Sequence, residues 1–270
     1  MISNMIKILN NRRRLLIIGI FTGGLLVSPV QKAESIAFDA VRLSPYFASE
    51  LIEKDKDINV RLGWMAIKKI DQLEKEGRYS EADSYYKMAI TYFKRTYEKN
   101  KTPNNYYLFC HTLYRSVQSE STYEGTEQKE LEVIKMIDER LKEQPNDMNF
   151  IDLKQIIYYN LAIMYYRAAV NFKDERGSPY FDEKRAYDPS KKEFYKKKAI
   201  EYMKKWLEYN EWMKEHWDEF EFFAWLELYE HDAKLNNVSL KGQFERSKMS
   251  FKKGNEEREK ELKDLLKKLE

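Results

Sequence analysis

The sequence predicts an all-α protein. Apolar residues recur three and four positions apart along most of the chain, a spacing that places them on one face of a helix. The 270 residues include six prolines and nine glycines, too few for the many turns of a β-sandwich. A hydrophobic fraction of 43% is enough for the core of one large or two small domains. The pattern favours antiparallel helical hairpins followed by a C-terminal amphipathic helix.

Residues 1–33 have the layout of a secretory signal peptide. A basic region ends at Arg14, an apolar run extends from Leu15 to Val27, and a helix-breaking stretch then leads to the small residue Ala33. The run is shorter than the roughly 20 residues that span a bilayer. We therefore expect cleavage after Ala33 and an extracytoplasmic protein, either periplasmic or secreted. The alternative is a membrane anchor through residues 15–30.

The charge of the chain depends on this segment. Residues 1–33 contain five basic side chains and no acidic one, so their removal changes the net charge from +3 to −2. A nearly neutral mature chain lacks the strongly basic balance of a nucleic-acid-binding protein. We therefore expect no nucleic-acid partner.

The first hairpin follows a short helical lead-in over residues 34–56. One amphipathic helix is predicted from Ile58 to Leu73, and Gly77 supplies the left-handed conformation that ends a helix. The next helix carries small and aromatic residues on one face: Ala82, Tyr86, Ala89 and Phe93. This alternation lets two helices approach closely.

These residues resemble the second helix of a tetratricopeptide repeat, in which Ala and a large aromatic follow a glycine-marked turn. A second stretch resembles the first helix of such a repeat through Tyr158, Leu161, Ala162 and Tyr165. The resemblance implies a TPR-like right-handed solenoid over residues 57–235, whose concave face binds protein segments. The chain departs from the family at four first-helix positions, Ala66, Lys69, Ile70 and Leu73, and lacks the closing proline. An unrelated helical bundle is the alternative.

Further helices are predicted along the chain. One begins near Pro103, a second covers about 126–143, and a third is capped by Asp147 and ends near Phe172. Residues 173–190 are polar and rich in turn formers, and we interpret them as an insertion that is either a functional loop or a spacer.

The last part of the repeat domain is rich in aromatic residues. A helix resumes at Lys191, and the segment from Trp212 to Tyr229 is predicted to continue as a helix that closes the core or lines a ligand groove. Residues 236–270 are predicted as a basic and polar linker that leads to an amphipathic helix from Asn255 to Glu270. The stripe of that helix consists of Leu262, Leu265, Leu266 and Leu269.

The sequence contains no catalytic signature. It has no phosphate-binding glycine loop, no dinucleotide fingerprint and no paired cysteine motif. Three histidines and the single Cys110 do not form a metal-ligand pattern, and Glu215, His216 and Glu219 fit a charged helix surface better. We therefore expect no enzymatic activity, no cofactor and no metal.

The predicted function is that of a protein-interaction scaffold or adaptor that binds a partner segment through a helical groove. Tyrosines suit this role because they bury a large area with little loss of rotamer freedom. The candidate partner-binding residues are Tyr79, Tyr86, Tyr158 and Tyr165. The alternative is a solenoid that binds a glycan or another small ligand through an aromatic-lined cleft.

Overall fold

The computed structural model describes residues 57–270, except 118, 119, 121, 171–186 and 225. The predicted signal peptide or anchor, the lead-in and most of the insertion therefore lie outside the described residues. The helices are α1 (Ile58–Lys75), α2 (Tyr79–Lys99), α3 (Pro103–Ser116), α4 (Tyr123–Glu143), α5 (Met148–Ala169), α6 (Lys192–Glu215), α7 (Leu226–Leu235) and α8 (Leu240–Leu269).

The predicted all-α class is confirmed. Across the described ranges no strand is present, and the only β-type pairing is an isolated bridge between Asp147 and Glu221. Within the same ranges, no helix combines the length and apolar character needed to cross a membrane.

Short polar side chains determine where several helices begin. The backbone N–H of Asn149 donates to Asp147 Oδ1 at 3.2 Å, and equivalent bonds cap other helices at Asp57, Thr102, Thr122 and Ser239. Pro103 lies in the first turn of α3. Gly77 has φ of 71° between α1 and α2, as its position predicted.

Consecutive helices pack side by side from α1 to α6. Tyr106, in the first turn of α3, has its ring centroid 4.7 Å from that of Tyr97 near the end of α2 and donates to the Met136 carbonyl in the second half of α4 at 2.9 Å. Helix α3 is therefore antiparallel to both neighbours, and α2 and α4 lie on either side of it and run in the same direction. Helix α5 is the centre of the molecule, because it contacts α3, α4, α6 and α8. Its burial on every side is clearest at residues 161–165, all of which are buried. The first two helices form their own apolar cluster around Ile70, Tyr86 and Phe93.

The aromatic segment after α6 does not continue as a helix, so that prediction is wrong. Helix α6 ends at Glu215, a short 3-10 turn covers Trp217–Glu219, and the backbone then becomes extended at Phe220. The N–H of Glu221 donates to the Asn146 carbonyl at 2.9 Å, and the N–H of Met148 donates to the Glu221 carbonyl at 2.8 Å. These bonds attach the segment to the turn before α5, which a continuous helix cannot achieve.

The C-terminal helix is longer than its predicted span. Ser239 caps it through the N–H of Gly242 at 3.0 Å, so the segment that we interpreted as a linker is helical from Leu240 onwards. Leu262 and Leu269 are buried against the central cluster, and α8 packs on α5 and α6. The amphipathic stripe therefore contacts the body of this chain.

The close approach of α1 and α2 depends on Gly63. A Cβ atom at this position would lie 2.5–2.9 Å from three ring atoms of Phe93, which is fully buried. We expect Gly63→Ala to reduce the free energy of unfolding by about 1–3 kcal/mol, because the ring has no space to move away. Urea denaturation measures the change.

Gly254 provides the matched control for this substitution. It lies inside α8, and an added Cβ would meet nothing within 4 Å. Gly254→Ala is therefore expected to stabilise the protein by about 0.5–1 kcal/mol through helix propensity alone. A similar gain from both substitutions would contradict the proposed contact with Phe93.

Candidate functional site

A cleft of about 190 Å³ opens between α2 and α4, with α3 at its base. Helix α2 contributes Asp83, Tyr86, Lys87 and Ile90, helix α3 contributes Leu113 and Ser116, and helix α4 contributes Lys129, Glu132, Val133 and Met136.

The two walls repeat one pattern. Positions 83, 86, 87 and 90 of α2 have the same spacing as positions 129, 132, 133 and 136 of α4. This spacing of three, one and three residues places each set on one face of its helix. Because α2 and α4 run in the same direction on either side of α3, the charged residues lie towards one end of the cleft. The apolar pair Ile90 and Met136 lies towards the other end.

The charged residues of the cleft are only partly paired with one another or with their neighbours. Lys87 Nζ lies 2.7 Å from Asp83 Oδ2, and Lys129 forms an ion pair with Glu120. Glu132 is exposed and has no ion pair within the part of the chain that the structure describes. The Glu132 carboxylate is therefore available to bind a basic group of a partner.

A buried ionic network lies beneath Tyr86. The Tyr86 hydroxyl donates to Glu74 Oε1, and Arg115 Nη2 donates to Glu74 Oε2 at 3.1 Å and to Asp71 Oδ1 at 2.8 Å. Burial raises the pKa of Tyr86 well above its ordinary value, so the phenol stays protonated and acts as the donor. The network joins α1, α2 and α3 and holds the tyrosine ring in place in the α2 wall of the cleft.

The structure describes the side chains of three of the four tyrosines predicted to bind a partner. Tyr86 lines the cleft but is only 1% exposed, and Tyr165 is completely buried, where it donates to Glu127 Oε2 at 2.7 Å. Tyr158 is half-buried and stacks on Tyr202 at a centroid distance of 6.5 Å. Tyr79 is the first residue of α2, and the structure does not describe its side chain. Tyr86, Tyr158 and Tyr165 do not form one exposed surface, and the role of all four tyrosines in partner binding stays a prediction.

The residues that α3 and α4 contribute to the cleft, chiefly Leu113, Val133 and Met136, are not among the candidate residues predicted from the sequence. Each lies within a segment predicted as a helix, but a periodic pattern cannot say which neighbouring helix a face meets. The matched spacing on α2 and α4 is the signal that could have suggested a shared wall.

Burial keeps the side chains of Cys110 and His111 uncharged at neutral pH. Burial raises the pKa of the Cys110 thiol to about 12 and lowers the pKa of His111 to about 3. At neutral pH the thiol is therefore protonated and the imidazole is uncharged. Among the residues that the structure describes, no group of three or more His, Cys, Asp or Glu side chains could hold a metal ion.

Comparison with protein families, curated protein sequences and solved structures finds no match to this chain.

Proposed function

We propose that this protein is a non-catalytic interaction scaffold that binds a segment of a partner protein in the cleft between α2 and α4. The observation that carries the proposal is the division of the cleft into an apolar end at Ile90 and Met136 and a charged end that includes Glu132. A peptide that places one large apolar side chain at the first end and a basic group near Glu132 matches both.

The size of the cleft favours a peptide side chain over a small-molecule ligand. Pockets for such ligands usually measure about 300–1,000 Å³, whereas this cleft holds about 190 Å³. A glycan site would also need an exposed aromatic ring, and the aromatic residue of this cleft, Tyr86, is 1% exposed. The glycan-binding solenoid therefore remains the weaker alternative.

The TPR-like solenoid belongs to the same proposal. The side-by-side packing of consecutive helices from α1 to α6 and the glycine-marked turn at Gly77 support it. In such an array, alternate helices line one face, and the cleft between α2 and α4 would form part of that face.

A peptide selection tests the cleft. We expect a displayed random-peptide library selected on the full chain to yield peptides with a large apolar residue close to a basic one. Met136→Glu should weaken their binding at least tenfold, because it places a charge at the apolar end of the cleft. Fluorescence anisotropy measures the affinity.

Met249→Glu is the control for that experiment. Met249 is 62% exposed on α8 and does not line the cleft, so this variant should bind the selected peptides normally. Equal affinity for both variants would contradict the cleft as the binding site. Failure to select any peptide, together with binding on a glycan array, would favour the alternative.

We also propose that the protein acts outside the cytoplasm after its N-terminal segment has been removed, with membrane anchoring through residues 15–30 as the alternative. The layout of residues 1–33 supports this proposal. Intact-mass measurement of the native protein in soluble and membrane fractions should detect a soluble species that lacks residues 1–33. Full-length soluble protein would contradict export, and full-length protein in the membrane fraction would favour the anchor.

A further inference from the structure

Buried polar side chains meet where α8 packs against α5 and α6. They are Asp152 and Gln155 on α5, Asn210 on α6, and Asn255 and Arg258 on α8, and each is less than 5% exposed. Side chains of this kind are normally hydrogen-bonded when they are removed from bulk water.

Direct bonds satisfy only part of this cluster. Gln155 Nε2 donates to Asn210 Oδ1 at 3.0 Å, and Arg258 Nη1 donates to Asn255 Oδ1 at 3.0 Å. Within the described residues, three buried atoms of the cluster have no protein partner: the acceptors Asp152 Oδ1 and Gln155 Oε1 and the donor Asn255 Nδ2. A buried polar atom that nothing bonds to destabilises the folded state, so each of these atoms requires a partner.

Contacts and hydrogen bonds link the residues that carry these atoms to one part of α8. The guanidinium carbon of Arg258 lies 5.6 Å from the centroid of the Tyr159 ring. On α5, Tyr159 follows Asp152 by seven residues. Gln155 lies between these two residues on the same helix face. Asn210, which accepts from Gln155, donates through Nδ2 to Glu259 Oε2 at 3.0 Å, so Gln155 faces the part of α8 that contains Arg258 and its partner Asn255.

We propose that an ordered water molecule is bound between α5 and α8, where it donates hydrogen bonds to Asp152 Oδ1 and Gln155 Oε1 and accepts one from Asn255 Nδ2. One water supplies two donors and accepts the third bond, so it matches the three unpaired atoms. Buried waters typically make about three such bonds. The site makes water a structural component of α8 docking and does not depend on the proposed peptide cleft.

A high-resolution crystal structure of the full chain tests this site. We expect a water peak within hydrogen-bond distance of all three atoms. The absence of such a peak would overturn the proposal, as would rearranged side chains that bond to one another directly.

A second crystal structure, of Gln155→Leu, tests the assigned bonds. Loss of one acceptor should remove the water or clearly lower its occupancy, whereas Gln155→Glu, which keeps an oxygen acceptor, should retain it. A water that stays fully occupied and unmoved in Gln155→Leu would overturn the proposed geometry. If Gln155→Leu does not fold, the crystal structures of the natural chain and Gln155→Glu still decide between a bound water and direct bonds.

Discussion

Replacing Arg115 with methionine is expected to lower the free energy of unfolding by about 3–5 kcal/mol. The Arg115 side chain is 10% exposed and pairs with Glu74, whose side chain is 8% exposed. Without the guanidinium, the Glu74 carboxylate remains buried with the Tyr86 hydroxyl as its neighbour. A buried charge without its partner destabilises the fold strongly, because desolvation is no longer offset.

Chemical denaturation at neutral pH measures this loss. Arg78→Met is the matched control, since Arg78 also pairs with two carboxylates, those of Glu76 and Glu81, but is exposed on the surface. Solvent screening should make its effect much smaller. The double variant Arg115→Met with Glu74→Met should recover much of the lost stability, because both charges are then absent. Equal losses for Arg115→Met and Arg78→Met would contradict a special role of the buried network.

Replacing Asp152 with asparagine is expected to stabilise the protein at pH 7 by up to about 3 kcal/mol. Burial raises the pKa of Asp152 from 3.8 to about 6 in the folded state, although the charge of Arg258 acts in the opposite direction. Between these two values the folded state holds a proton that the unfolded state has released. The carboxyl group therefore reduces stability progressively as pH rises from about 4 to 6.

The difference between the natural chain and Asp152→Asn isolates this group from other carboxylates, including Asp147, whose pKa burial also raises to about 6. Unfolding curves measured from pH 3.5 to 7.5 should show two proteins of similar stability at the acidic end that diverge above pH 4. Asp218→Asn, at an exposed position, should show no such divergence. A pH-independent difference for Asp152→Asn would contradict the raised pKa.

Local chemistry explains the features of the fold that sequence reasoning predicted. Pro103 and Asp147 begin helices because each acts on the backbone of its own first turn. Gly77 ends α1 because it adopts a positive φ that other residues avoid. These effects involve residues a few positions apart, so a linear sequence contains the information needed to infer them.

Two predictions about secondary structure failed where distant residues compete for the backbone. The segment at Phe220 is extended because Glu221 bonds to the turn before α5, about seventy residues earlier in the chain. Helix α8 extends back to Leu240 because the Ser239 cap and packing on the body outweigh the polar composition of its first half. Neither interaction is visible in a local pattern.

The candidate site also combines features that local sequence predicts with features that depend on distant residues. Tyr86 was predicted from its repeat-like spacing and does line the cleft, but its buried position depends on Glu74 and Arg115 from two other helices. Val133 and Met136, which line the same cleft, belong to α4 and follow Tyr86 by more than forty residues in the chain.

By itself the sequence determined the helical class, the principal helices and most of their starting points, because periodicity and capping act within a few turns. Only the tertiary structure decided that α5 lies at the centre, that α8 returns to the body, and that α2 and α4 form the two walls of one cleft. These outcomes depend on which apolar faces meet and on how buried polar groups find partners. Both are properties of residues far apart in the chain.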